Sequence, residues 1–214
     1  AYAEKSPVLV ISGGPSPKDR DKDVLMHHKV RTFDTQRHIY EEVTCATAVI
    51  TDPATAAGEI MRVIATMREQ SRPGYIEMPF DVVDMPITNI PAAPNRPAPT
   101  SNQDNLSAMV EDAVAAINKA KQPVIIADIE LHRHGLTEQA LALASKFNIP
   151  VASTLLSKSI ISENHPLFIG VYSGPLSDAA VQTYVEESDC LIMLGAYVTD
   201  VWFGFMSTSE KLAR

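Results

Sequence analysis

Pro7-Val-Leu-Val-Ile-Ser-Gly-Gly-Pro15 is the stretch on which the fold turns. Its apolar, β-branched centre is too short for a helix, and Gly13-Gly14-Pro15 ends it abruptly. Val8 to Ser12 therefore reads as a buried strand running into a loop. Further on, Asp52 is placed to cap a helix with Pro53 at its first position, and Ala57, Ile60, Ile64 and Met67 make one apolar stripe. Tyr75-Ile-Glu-Met78 follows as the next strand. A strand, a helix and a strand in that order imply a crossover and a parallel sheet, the α/β class.

The same rhythm returns after a break. Between Pro79 and Pro99 prolines stand at 79, 86, 91, 94, 97 and 99. Proline removes amide donors and fixes φ, so this stretch suits an extended connector and neither a helix nor a central strand. It divides the chain into residues 1–85, a linker over 86–100, and residues 101–214. In the second part Ser101 and Asp104 have the spacing of a capping box, and Leu106, Met109, Val110, Ala113, Val114 and Ile117 recur at helical period. Val124 to Ala127 predicts a strand, and Leu136, Ala140, Leu143, Ala144 and Phe147 a helix. Pro150 to Ser153 predicts a strand, Val181 to Glu187 a helix, and Cys190 to Leu194 a strand closed by Gly195. Two parallel-sheet units in series are expected.

Composition agrees with two ordinary folded units. The chain has 214 residues, 45% hydrophobic and 21% charged, enough to bury a sizeable core. A formal charge of -8 and a pI near 5.2 argue against a nucleic-acid partner, which needs clustered Lys and Arg to displace counterions. Cys45 and Cys190 lie far apart, each in an apolar stretch, and read as two buried, reduced thiols of a cytoplasmic protein. No run approaches the ~18 apolar residues of a membrane span, and the first residues lack the order of a signal peptide. The chain opens on Ala1 and not on methionine, which reads as a start inside a longer protein.

His27 and His28 are the candidate catalytic residues. Adjacent imidazoles near neutral pKa can donate, accept and relay protons around physiological pH. They come soon after the carboxyl end of the Val8–Ser12 strand, the edge of an α/β sheet where ligands gather. By itself such a pair is usually two ordinary surface or loop histidines. Its setting is more specific: Val24-Leu-Met-His-His28, then Gln36 and Thr44, then Arg72-Pro-Gly-Tyr-Ile-Glu-Met-Pro79. This order of blocks resembles the thiamine diphosphate-dependent 2-oxo acid decarboxylases. The resemblance continues through Gln122 to Ala127, Gly135-Leu136, Asn148-Ile-Pro-Val151, Glu163-Asn-His-Pro166 with Gly170, and Asp189 to Asp200. It thus covers nearly the whole chain. The histidine pair is similar to that of pyruvate, indolepyruvate and phenylpyruvate decarboxylases, and Glu130 to Gly135 looks closest to the indolepyruvate and phenylpyruvate branch.

The resemblance implies the fold in more detail: residues 1–85 as the back half of a pyrimidine-binding domain, and residues 101–214 as most of a Rossmann-like central domain, each a three-layer unit. It also implies thiamine diphosphate and Mg as cofactors, a 2-oxo acid as substrate, and a homodimer or homotetramer. The family's cofactor-activating glutamate would lie before residue 1. Its Gly-Asp-Gly and Asn-Asn metal motif occurs nowhere in the 214 residues, so an internal fragment, inactive alone, is expected.

Other polar features carry less. His132 and His134 lack an obvious third ligand for a metal and read as loop histidines, and His165, before a proline, reads as structural. Gly195-Ala-Tyr-Val-Thr-Asp200 ends a strand where related domains bind FAD, but no GxGxxG supports a nucleotide here. The competing readings are a regulatory module binding a small acid, a plain scaffold, or another thiamine enzyme such as an acetolactate synthase.

Overall fold

In the computed structural model, which describes residues 1–27, 29–92 and 100–199, the chain divides into two compact units, Ala1–Ala98 and Pro99–Arg214. Both are α/β, and in both every paired strand is parallel.

In the first unit β1 (Leu9–Gly14) is followed by the short α1 (Pro17–Lys22), α2 (Thr35–Val43), β2 (Ala46–Val49), α3 (Pro53–Gln70) and β3 (Gly74–Pro79). The sheet order is β1-β3-β2, so the last strand lies in the middle. This corrects the expectation of a buried Val8–Ser12 strand. β1 is an edge with Val8 and Ile11 exposed, whereas Tyr75, Ile76 and Glu77 of β3 are almost fully buried, because only β3 has neighbours on both sides. Pro79 is a second correction. It closes the central strand, opposite Gly14, where a missing amide breaks only the end of the ladder.

Asp52 caps α3 as expected, accepting the Ala54 N–H at 2.9 Å with Pro53 next. The buried face is Ala56, Ala57, Val63 and Met67, with Ile60 partly covered, so the stripe is rotated and Ile64 leaves it. These side chains meet Ala46, Ala48, Ile50 and Ile76. Gly74 lets them come close, since a Cβ there would lie 2.8 Å from Val63 Cγ1 and 2.6 Å from Met67 Sδ. Gly74→Ala is expected to cost about 1–2 kcal/mol through overpacking, read as a lower urea midpoint at unchanged slope.

The second unit contains α4 (Gln103–Lys119), β4 (Pro123–Ala127), α5 (Ile129–Arg133), α6 (Thr137–Phe147), β5 (Val151–Thr154), β6 (Phe168–Tyr172), α7 (Ala179–Glu186) and β7 (Cys190–Leu194). The order is β6-β5-β4-β7. One face of the sheet packs Ile125, Ala127 and Val151 against Leu131, Ala140 and Ala144, and the other packs Val124, Ile126 and Ala152 against Val181 and Val185. That is the expected three-layer arrangement. Asp189, just before β7, ties the start of β4 by accepting the N–H groups of Lys121 (2.8 Å) and Gln122 (2.9 Å).

Three local expectations change here. The cap of α4 is Asn102, whose side chain accepts the Asn105 N–H at 3.0 Å, one residue later than Ser101. The apolar stripe of α4 is exposed at Leu106, Met109, Val110 and Val114, and Ile117 alone of the expected six joins a core cluster. His132 lies in α5 and not in a loop, because Asp128 caps that helix by accepting the Ile129 N–H at 2.7 Å. The thiols of Cys45 and Cys190 are free and half-buried, and partial burial pushes both above the ordinary thiol value. Among the described residues no helix is long and apolar enough to cross a membrane.

Candidate active site

β3 alternates its side chains, so Tyr75 and Glu77 share the face opposite Ile76. Ile76 joins the core beneath α3. On the other face Tyr75 stacks on Tyr40 of α2, rings 4.2 Å apart and 6° from parallel. Beside it Glu77, only 1% exposed, is a carboxylate in the centre of a sheet. Such a group is costly unless paired and hydrogen-bonded. Arg20 supplies the pair: its Nη2 donates to Glu77 Oε1, and its Nη1 donates to Asp34 Oδ1 at 3.1 Å. Tyr75 Oη donates to Glu77 Oε2 at 3.1 Å. Gly14 makes room for the carboxylate, since a Cβ there would lie 2.5 Å from Glu77 Oε1.

The network extends to the carboxyl end of β1. Ser12 Oγ lies 2.7 Å from Tyr75 Oη, and Gln36 Nε2 donates to Ser12 Oγ (2.9 Å) and Tyr75 Oη (3.1 Å). Burial, more than any other influence, pushes the Tyr75 hydroxyl above the usual tyrosine value, and the Glu77 charge pushes the same way. The folded state thus holds the phenol proton more tightly than the unfolded chain. Stability from this group is complete below the ordinary tyrosine pKa and is lost as pH rises through the raised one. Tyr75→Phe is expected to flatten that alkaline decline, followed by urea titration at successive pH values.

Above the network lies a cleft of about 180 Å³ at the ends of β1 and β3, lined by Gly13, Gly14, Pro15, Gln36 and Glu77 and, from the loop before α2, by Lys29, Val30, Thr32 and Phe33. His27 sits in the turn beneath this loop, where the Lys29 N–H donates to the Met26 carbonyl at 3.0 Å, and its side chain is exposed. His28 lies outside the described residues. The segment is closed at its base by the Arg20–Asp34 pair and again by Lys29 Nζ to Asp23 Oδ1. His27 lies two residues before Lys29, the first described residue of the loop before α2 to line the cleft, and is not itself among the lining residues. The sequence reading missed Arg20, Tyr75 and Glu77 as members of the site. Tyr-x-Glu on a strand was an available signal, because residues two apart share a face.

The second unit gathers its polar groups at the carboxyl ends of β4 and β5. Asp128, fully buried, accepts the Thr154 hydroxyl at 2.6 Å and the Tyr197 N–H at 2.9 Å, beside its cap bond to α5. The strand order reverses between β4 and β7, the switch point where such sheets bind ligands. Here the loop from Gly195 is fastened instead to α5, with the Glu130 N–H donating to the Gly195 carbonyl at 3.2 Å. Asp200 lies outside the described residues. His134 Nε2 is 3.2 Å from Glu130 Oε2, and His165 Nδ1 accepts the Leu167 N–H at 3.2 Å, a structural role as expected. Among the described residues no three His, Cys, Asp or Glu side chains are placed to hold a metal ion.

Comparison with known proteins finds similarity along the whole chain. Residues 110–213 match the family described as thiamine pyrophosphate enzyme, central domain. Over 214 residues, the whole of this chain, it is 37% identical to an indole-3-pyruvate decarboxylase of Azospirillum brasilense and spans 39% of that protein's length. It is 35% identical to an alpha-keto-acid decarboxylase of Mycobacterium avium (strain 104) and 34% identical to one of Mycobacterium ulcerans (strain Agy99), again along all of the chain and 38% of each relative. Residues 110–213 thus match the central domain of the thiamine pyrophosphate enzymes, and the chain as a whole is similar to these decarboxylases while spanning less than half of their length.

Proposed function

We propose that this chain is part of a thiamine diphosphate-dependent decarboxylase that converts a 2-oxo acid, indolepyruvate, phenylpyruvate or pyruvate, to an aldehyde and carbon dioxide. The observation that carries the reading is the 37% identity to an indole-3-pyruvate decarboxylase along the full chain. With it go a cytoplasmic, homodimeric or homotetrameric enzyme and a pyrimidine-binding role for residues 1–85. When bound, thiamine diphosphate supplies the electron sink for decarboxylation that side chains lack. The described residues do not fit the task of holding it with Mg: they contain no metal-binding cluster, and Glu77, the carboxylate at the cleft, is committed to Arg20 and Tyr75.

What the chain contributes is proton handling and positioning. In this reading His27 and His28 hold the oxygen of the reacting group and move the protons that accompany aldehyde release. The Arg20–Asp34 and Asp23–Lys29 pairs keep the histidine segment at the sheet edge. The second unit serves as scaffold in preference to a regulatory module, because its switch-point polar groups bond to one another. The test is carbon dioxide release from aromatic 2-oxo acids by the whole protein. Turnover is expected only with thiamine diphosphate and Mg, and equal turnover after their removal overturns the reading.

A further inference from the structure

The direction of every hydrogen bond in the β3 network follows from one group. Glu77, paired with Arg20, is a carboxylate and only accepts. Tyr75 therefore spends its single proton on Glu77 Oε2, and its oxygen receives from Ser12 and Gln36. Both bonds of the Gln36 amide to this network are made by Nε2. A turned amide would set a carbonyl against a phenol oxygen that has no proton left to give. The carbonyl Oε1 is the amide's remaining polar atom on a residue that lines the cleft, and among the described residues no hydrogen bond to it is found.

The rest of the cleft is apolar or already paired, the hydroxyls of Thr32 and Thr35 lying 3.3 Å from each other and Thr35 Oγ1 also accepting the Thr32 N–H at 3.1 Å. Val30 and Ile39 are 79% and 61% exposed on its wall, with Phe33 and Pro15 beside them. Lys29 is paired with Asp23, and Glu77 with Arg20, so neither offers a spare charge to a ligand's carboxylate. An apolar wall with one fixed acceptor fits the ring end of a substrate and not its acid end.

We propose that Gln36 is a specificity-determining residue, whose Oε1, fixed by the Glu77–Tyr75–Ser12 relay, accepts a hydrogen bond from a planar aromatic ligand bearing one N–H donor, as in an indolyl 2-oxo acid. The inference rests on the decarboxylase reading for the identity of the acid, but its ring selectivity is measurable without turnover. A neutral hydrogen bond at a partly exposed site is worth about 1 kcal/mol, or roughly fivefold in affinity.

The test titrates the 214-residue chain with indole and with benzothiophene, a planar isostere without the N–H, following the Gln36 side-chain amide by NMR. Indole is expected to bind about fivefold more tightly. Gln36→Met should abolish the preference, and so should Tyr75→Phe, which keeps the glutamine but frees its amide to turn; circular dichroism confirms that each variant is folded. In the whole protein the same substitutions should lower kcat/KM for indolepyruvate relative to phenylpyruvate by a similar factor. Equal affinity of the wild-type chain for the two rings overturns the proposal, as does a preference that survives Gln36→Met. Failure of the whole protein to decarboxylate any 2-oxo acid, with ring selectivity intact, would instead count against the decarboxylase reading alone.

Discussion

Replacing His27 or His28 by alanine in the whole protein should lower turnover by about a hundredfold or more, the usual worth of a positioned proton donor or acceptor. His27 is exposed in the turn that precedes the cleft-lining Lys29, Val30, Thr32 and Phe33, so its loss should leave the unit's core and its unfolding midpoint unchanged. His28, its neighbour in sequence, lies outside the described residues and enters through the adjacency and the family blocks. Single-turnover measurement of aldehyde formation separates a chemical defect from a binding one. If these histidines move protons, kcat falls and KM changes little. A variant with wild-type rates would return that histidine to the standing of a surface loop residue.

What the sequence makes legible is local. Asp52-Pro53 carries its own helix start, and the observed cap is the one those two residues dictate. Cys190–Leu194 is an apolar run with nothing to compete against its strand. α5 escaped detection because five residues show no helical period, although Asp128 followed by Glu130 is a start signal. β6 escaped because Gly170 stands in its middle, at φ 133° beside a register shift, and reads as a loop. The alternation of Tyr75 and Glu77 shows that they share a face, but nothing local tells that Arg20, far back in the chain, comes to meet them. Nor does periodicity distinguish a core stripe from the exposed one on α4, since both have the same spacing.

Glu77→Leu should destabilise the first unit by about 3 kcal/mol, the low end for breaking a buried ion pair. The low end applies because Arg20 would retain Asp34, which is partly exposed and binds it less completely than a carboxylate held inside the sheet. Arg20 starts with little in reserve: its Nε is already buried without a partner in this structure. Tyr75 would lose its acceptor at the same time, and its proton would fall back on Ser12, releasing the orientation of Gln36. Adding Arg20→Met to Glu77→Leu removes the stranded charge as well, so the double variant should recover much of the loss, since an apolar pair of similar volume is often as stable as the ions it replaces. Urea unfolding of the single and double variants measures the difference. If the double variant is as unstable as the sum of Arg20→Met and Glu77→Leu, the two residues are not coupled, and the ion pair is not what holds the base of the histidine loop to β3.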